Sequence, residues 1–164
     1  ARFMTLKLRP YHLHWLEEPI FPPEDFSAIA RLREGTGVAM AAGENNCTSF
    51  QFRDMFAAGA VDYAQPSVTK VGGVTEFLKV ATLADAAGVT LMPHSPYFGP
   101  GFLATLHLLA ARGGPGGMIE RYHMDLEASL YGDLVNPVDG GFVVPSGPGL
   151  GYDPDPDVMK TYGG

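Results

Sequence analysis

The run His14-Trp15-Leu16-Glu17-Glu18-Pro19 decides how the rest of the chain is read. An apolar, strand-like stretch ends abruptly in two carboxylates, and a proline closes it. A buried strand has no use for a carboxylate at its tip unless negative charge is needed there. Ala41-Ala42-Gly43-Glu44-Asn45 repeats the pattern, small and apolar and then Glu. A single Glu at a loop start is ordinarily a surface acid. Two of them at the tips of successive strands, Glu17 and Glu44, form a candidate site for a hard divalent cation, which takes oxygen ligands.

Outward from that run, strand and helix alternate. Residues 1–8 read as a helix already under way, with no cap, halted by Pro10. Strands are predicted at 12–16, 38–42, 61–64, 89–92 and 118–119. Between them lie a helix opened by Pro22-Pro23-Glu24-Asp25 and running to about 34, and one capped by Thr48 or Ser49 that stops at Gly59. Another spans about 74–87 and ends at Gly88. The last leaves a Gly/Pro turn at 96–101 and runs to about 111. That order implies parallel strands with helical crossovers. The strand-end positions are Glu17, Glu44, Ser67, His94 and Glu120. They recur about every 25 residues, near the roughly 30-residue βα unit of a (β/α)8 barrel. A doubly wound open sheet fits the alternation too, but gives no reason for polar residues at nearly every strand tip. A barrel does, because its active site is built from those C-terminal ends.

The chain has 164 residues, 46% hydrophobic and 18% charged, as expected of a globular domain with a sizeable core. A net charge of −7 and the absence of any basic cluster argue against nucleic acid as a partner. No apolar run approaches the roughly 20 residues that span a membrane, and no signal peptide is legible. One cysteine, Cys47, excludes an internal disulfide and suits the cytoplasm. His107, mid-helix among leucines, reads as packing, and Lys70 as a loop residue. From Gly132 to Pro156 Gly and Pro crowd the sequence. A short strand at 142–144 is the one regular element expected in a tail that packs by wrapping. The expected division is barrel at 1–122 and C-terminal segment at 123–164.

Taken in order, Trp15-Leu16-Glu17-Glu18-Pro19, Gly43-Glu44-Asn45, Lys70-Val71-Gly72-Gly73 and Pro148-Gly149-Leu150-Gly151 resemble the mandelate racemase subgroup of the enolase superfamily. The likeness covers almost the whole chain. It implies a modified (β/α)8 barrel capped by a second domain built from both chain ends. This chain would then be an incomplete barrel, about strands four to eight, with a tail that returns to the capping domain. The resemblance further implies Mg²⁺, with Glu17 and Glu44 as two of three carboxylate ligands. The third, an Asp, would lie before Ala1. His94 matches the histidine base, and Glu120 the acid that hydrogen-bonds the substrate carboxylate or enediolate oxygen. Ser67 departs from the pattern. The mandelate racemase position is an Asp that orients the histidine, and the muconate-lactonizing branch has a catalytic Lys. Ser67 can hydrogen-bond an imidazole or a substrate but cannot stabilise imidazolium as a carboxylate would.

The implied activity is abstraction of a proton α to a carboxylate, most simply in dehydration of a sugar acid, by a protein that is a homo-oligomer at full length. Racemization of a 2-hydroxy acid is the alternative reaction. The chain itself reads as a partial, inactive piece of that enzyme, since five of eight strands leave two open sheet edges, and the alternative class is a non-catalytic remnant kept as a structural or binding module.

Overall fold

The computed structural model describes residues 1–112 and 117–163, which divide into two compact units, Ala1–His94 and Ser95–Gly164. The first unit alternates helix and strand: α1 Arg2–Leu8, β1 Leu16–Glu17, α2 Phe26–Thr36, β2 Met40–Ala42, α3 Ser49–Ala57, β3 Tyr63–Ala64, α4 Val74–Ala87 and β4 Thr90–Leu91. All neighbouring strands are parallel, and their order in the sheet is β1-β2-β3-β4. An order that follows the sequence without reversal is singly wound. A doubly wound sheet reverses at a switch point, so this sheet is an arc of barrel wall. β2 is buried at every position, as a parallel strand covered on both faces must be.

Local chemistry accounts for most helix limits. Thr48 Oγ1 accepts from the Gln51 N–H at 3.3 Å and caps α3. Gly88 closes α4 in the left-handed conformation. α2 starts later than predicted. Pro22 and Pro23 lie outside it, and Asp25 is its cap, accepting from the Ala28 N–H at 2.9 Å. Gly35 lies inside α2, which ends at Gly37. The strands are shorter than predicted, because pairing limits them rather than side-chain pattern. His12 turns left-handed after a 3₁₀ turn at Arg9–Tyr11, and the chain joins the sheet only where the Leu16 N–H donates to Ala39 O. β1 therefore carries Glu17 inside it.

At the opposite end of the strands, Arg33 of α2 forks onto Asp62, which precedes β3, at 2.8 and 2.6 Å. Asp62 Oδ2 also accepts from the Met40 N–H at 3.0 Å, so one carboxylate ties helix, β2 and β3 together. The Arg33 guanidinium holds the Asp62 carboxyl below its usual range, against the effect of burial. Asp62→Asn is expected to destabilise this unit by about 1–2 kcal/mol, between an exposed pair and a buried charge-assisted bond. A depressed folded pKa stabilises fully above the unfolded value and is lost as pH falls through the folded one. The gap between wild type and variant in urea unfolding is therefore expected to close below about pH 4.

In the second unit, α5 (Pro100–Arg112) and a 3₁₀ turn at Gly132–Val135 contribute to a core of Phe102, Leu103, Tyr131 and Val135, while α6 (Pro156–Tyr162) has no buried residue. Phe142 meets Phe102 edge-on, with ring centroids 5.1 Å apart. The strand expected at 142–144 does not form. Val138 and Gly141 pair around a two-residue turn, Asp139-Gly140, with both φ positive. The strand expected at 118–119 is also absent. Ser95 holds that stretch instead: Ser95 Oγ lies 3.1 Å from the Glu120 N–H and 3.4 Å from Glu120 O. α6 was not foreseen, although its signal is local. Asp155 accepts from the N–H groups of Asp157 and Val158, with Pro156 at the first helical position. His107 does more than pack, its Nε2 lying 2.9 Å from Leu150 O and tying α5 to the tail. Gly151 has φ +83°, and a Cβ there would fall 2.7 Å from Pro145 O. Among the described residues no helix is long and apolar enough to cross a membrane.

Candidate active site

Parallel pairing carries the C-terminal ends of β1 to β4 to one edge of the sheet. Glu17 is the last residue of β1, Glu44 follows β2 by two residues, and Ser67 and His94 each follow their strands by three. The Glu18 N–H donates to Ala41 O, locking the two acidic turns in register.

Glu44 is the hub. Its Oε2 lies 3.0 Å from His94 Nδ1 and its Oε1 3.8 Å from Lys70 Nζ. His94 therefore has a carboxylate partner supplied from the end of β2, where the resemblance implied an Asp. Ser67 is fully buried, with its hydroxyl 2.9 Å from that of Thr69. The Ser67 carbonyl accepts from the Lys70 and Val71 N–H groups, making the tight turn that brings Lys70 back toward Glu44. Lys70 is thus a countercharge and not merely a loop residue.

Glu17 Oε2 accepts two hydrogen bonds, from Gln65 Nε2 at 2.6 Å and Trp15 Nε1 at 3.2 Å. Trp15 also stands against Tyr63 of β3, with centroids 5.1 Å apart. Glu18, the second acid of the opening run, has φ +38° and is half-buried. It accepts from the Gly43 N–H at 3.5 Å and Asn45 Nδ2 at 3.4 Å. Burial raises its carboxyl above the usual range, and the charges of Glu44 and Glu17 push the same way, against the Gly43 hydrogen bond. Glu18 therefore lies near enough to feel the charge of both neighbouring acids, and clustered negative charge attracts cations. The sequence run showed Glu18, but only its backbone conformation turns it onto the Glu44 loop.

The donors fit a hard divalent cation in kind, since Glu17 and Glu44 offer carboxylate oxygens. Among the described residues they are not joined by a set of three or more His, Cys, Asp or Glu side chains able to hold a metal. In the second unit, Glu120 Oε2 lies 3.4 Å from the Ser95 N–H, which steadies that carboxylate.

Comparison with known proteins gives the same family throughout. The "Enolase C-terminal domain-like" family matches residues 1–158. D-galactonate dehydratase of Ralstonia pickettii is 33% identical over 164 residues, 94% of this chain and 42% of that protein. D-galactarolactone cycloisomerase of Agrobacterium fabrum is 32% identical over 161 residues, 93% of this chain and 42% of that protein. Among solved structures, L-talarate dehydratase from Polaromonas sp. JS666, complexed with Mg and L-glucarate, superimposes with a TM-score of 0.80 at 31% identity, over 97% of this chain and 42% of that one. A mandelate racemase/muconate lactonizing protein from Paracoccus denitrificans, complexed with magnesium, gives 0.88 at 26% identity, over 98% of this chain and 44% of that one. The chain spans less than half the length of the relatives it matches. Its singly wound parallel sheet and this match over nearly all of its length place it in the enolase C-terminal domain-like family, in the mandelate racemase subgroup of the enolase superfamily.

Proposed function

We propose that the protein serves a Mg²⁺-dependent dehydration of a sugar acid, begun by removal of the proton α to the carboxylate. The observation that carries this reading is the pairing of His94 Nδ1 with Glu44 at a strand-end cluster of acids. A carboxylate beside Nδ1 requires a proton on that nitrogen, so the basic nitrogen of the neutral ring is Nε2. His94 then takes the α-proton on Nε2, and Glu44 stabilises the imidazolium that results. The imidazolium hands a proton to the β-hydroxyl, which leaves as water, and the enol product ketonises. Glu17 and Glu44 would hold the cation, with Lys70 balancing Glu44. When bound, Mg²⁺ supplies positive charge against the substrate carboxylate as the α-proton becomes acidic. Glu120 takes the role of hydrogen-bonding the substrate carboxylate, and Ser67 that of a further hydrogen-bonding group for the substrate. The dehydratase names of the relatives support the substrate class.

The test is incubation with Mg²⁺ and a panel of hexonic and hexaric acids in deuterated water. Formation of a 2-keto-3-deoxy acid is the expected result. Deuterium exchange at the α-carbon without water loss would replace dehydration by racemization or epimerization. Neither change with any acid would sink the reading.

A further inference from the structure

We propose that Gln65 is a positioning residue that fixes the Glu17 carboxylate from two strands away. Gln65 directly follows β3, and its backbone N–H donates to Ala42 O of β2 at 3.0 Å. Glu17 lies on β1, beyond β2, at two strand spacings or about 10 Å of backbone separation. The side chain crosses that gap because the β2 residue between them is small. The register pairs Glu17 with Ala41 and Ala41 with Tyr63. Gln65 Nε2 then reaches Glu17 Oε2 at 2.6 Å.

The orientation of the amide follows from the chemistry. A carboxylate only accepts, so the NH₂ group faces it and Oε1 is turned away. Oε1 is buried and finds no hydrogen-bond partner among the described residues. Such an orphan costs about as much as a charge-assisted hydrogen bond returns. Gln65 therefore contributes little net stability, and an apolar side chain of equal length would serve the fold as well. Trp15 Nε1 bonds the same oxygen from Glu17's own segment, so what Gln65 adds is a tie of Glu17 to β3, and the fold carries a buried unsatisfied acceptor to obtain it. The proposal rests on the reading above only for the identity of the cation.

The decisive variant is Gln65→Met, equal in length and lacking both donor and acceptor. Three measurements on the full chain separate the outcomes. In metal-free protein, the Glu17 side-chain carboxyl ¹³C resonance is expected to move toward the position of a solvated glutamate, the Trp15 hydrogen bond being retained. The urea midpoint is expected to hold or rise. The Mg²⁺ dissociation constant, read by calorimetry with the metal alone, is expected to increase about tenfold, the loss of one charge-assisted contact to a ligand. An unchanged Glu17 resonance overturns the proposal. So does a lower urea midpoint with unchanged Mg²⁺ affinity, which would make Gln65 a packing residue. Should Gln65→Met fail to fold, the wild type decides. Its Gln65 amide protons are expected to be shifted downfield and protected from exchange, and free exchange overturns the proposal. If neither form binds Mg²⁺, the metal assignment fails while the Glu17 resonance still decides the role of Gln65.

Discussion

Glu44→Gln is expected to bring turnover of any sugar acid to background, a larger loss than any other substitution at the site. The change keeps the shape and removes the charge. Glu44 faces His94 through one oxygen and Lys70 through the other, and the same carboxylate is a proposed cation ligand. A neutral amide leaves imidazolium unsupported, and hydrogen bonds to it are roughly half as strong as those to an ion. His94→Asn removes the proton carrier alone and is expected to cost roughly 10²–10⁴-fold in kcat. The two effects separate by calorimetry. Mg²⁺ affinity is expected to fall with Glu44→Gln and to survive His94→Asn. Ser67→Ala is expected to cost about 1 kcal/mol, the worth of one neutral hydrogen bond. If His94→Asn kept nearly full activity while Ser67→Ala abolished it, the mechanism would be wrong and a proton-relaying serine would replace it.

Gly43→Ala is expected to destabilise the chain by about 2–4 kcal/mol, adding backbone strain to overpacking. Gly43 has φ +124°, and a Cβ there would lie 2.7 Å from Phe52 Cε1 and 3.1 Å from Cζ. Phe52 is fully buried on α3 and cannot step aside. The same glycine donates its N–H to Glu18 and begins the turn that presents Glu44, so activity is expected to fall with stability. Urea unfolding of Gly43→Ala alone and combined with Phe52→Leu checks the account. The double variant is expected to recover the steric part, leaving only the backbone strain. Equal stability of wild type and Gly43→Ala would refute it.

Much of the fold was legible because its signals act over a few residues. Thr48 caps α3 and Gly88 stops α4 where the sequence says they do, since cap and left-handed glycine depend only on neighbouring backbone. The alternation of apolar runs and turns determined parallel βα units, and Glu17, Glu44, Ser67 and His94 do stand at the C-terminal ends of the four strands that form. Strand limits were less legible. The sequence shows which residues could pair, but the partner strand decides which do, so 12–16 shrank to Leu16–Glu17 and 118–119 formed no strand. α6 was lost because Pro and Gly around it read as breakers, although Asp155-Pro156 is a helix start.

The sequence by itself determined the family, the parallel sheet and the acids and histidine at its edge. Each is written in runs whose meaning is local. Only the tertiary structure decided what those side chains do to one another. Glu44 of one strand end reaches His94 of another, and Gln65, two strands away, joins the neighbouring Trp15 in holding Glu17. The reason is geometric. A contact between strand ends is set by sheet register and by the size of the residue on the strand between them, and neither is a property of the contacting residues.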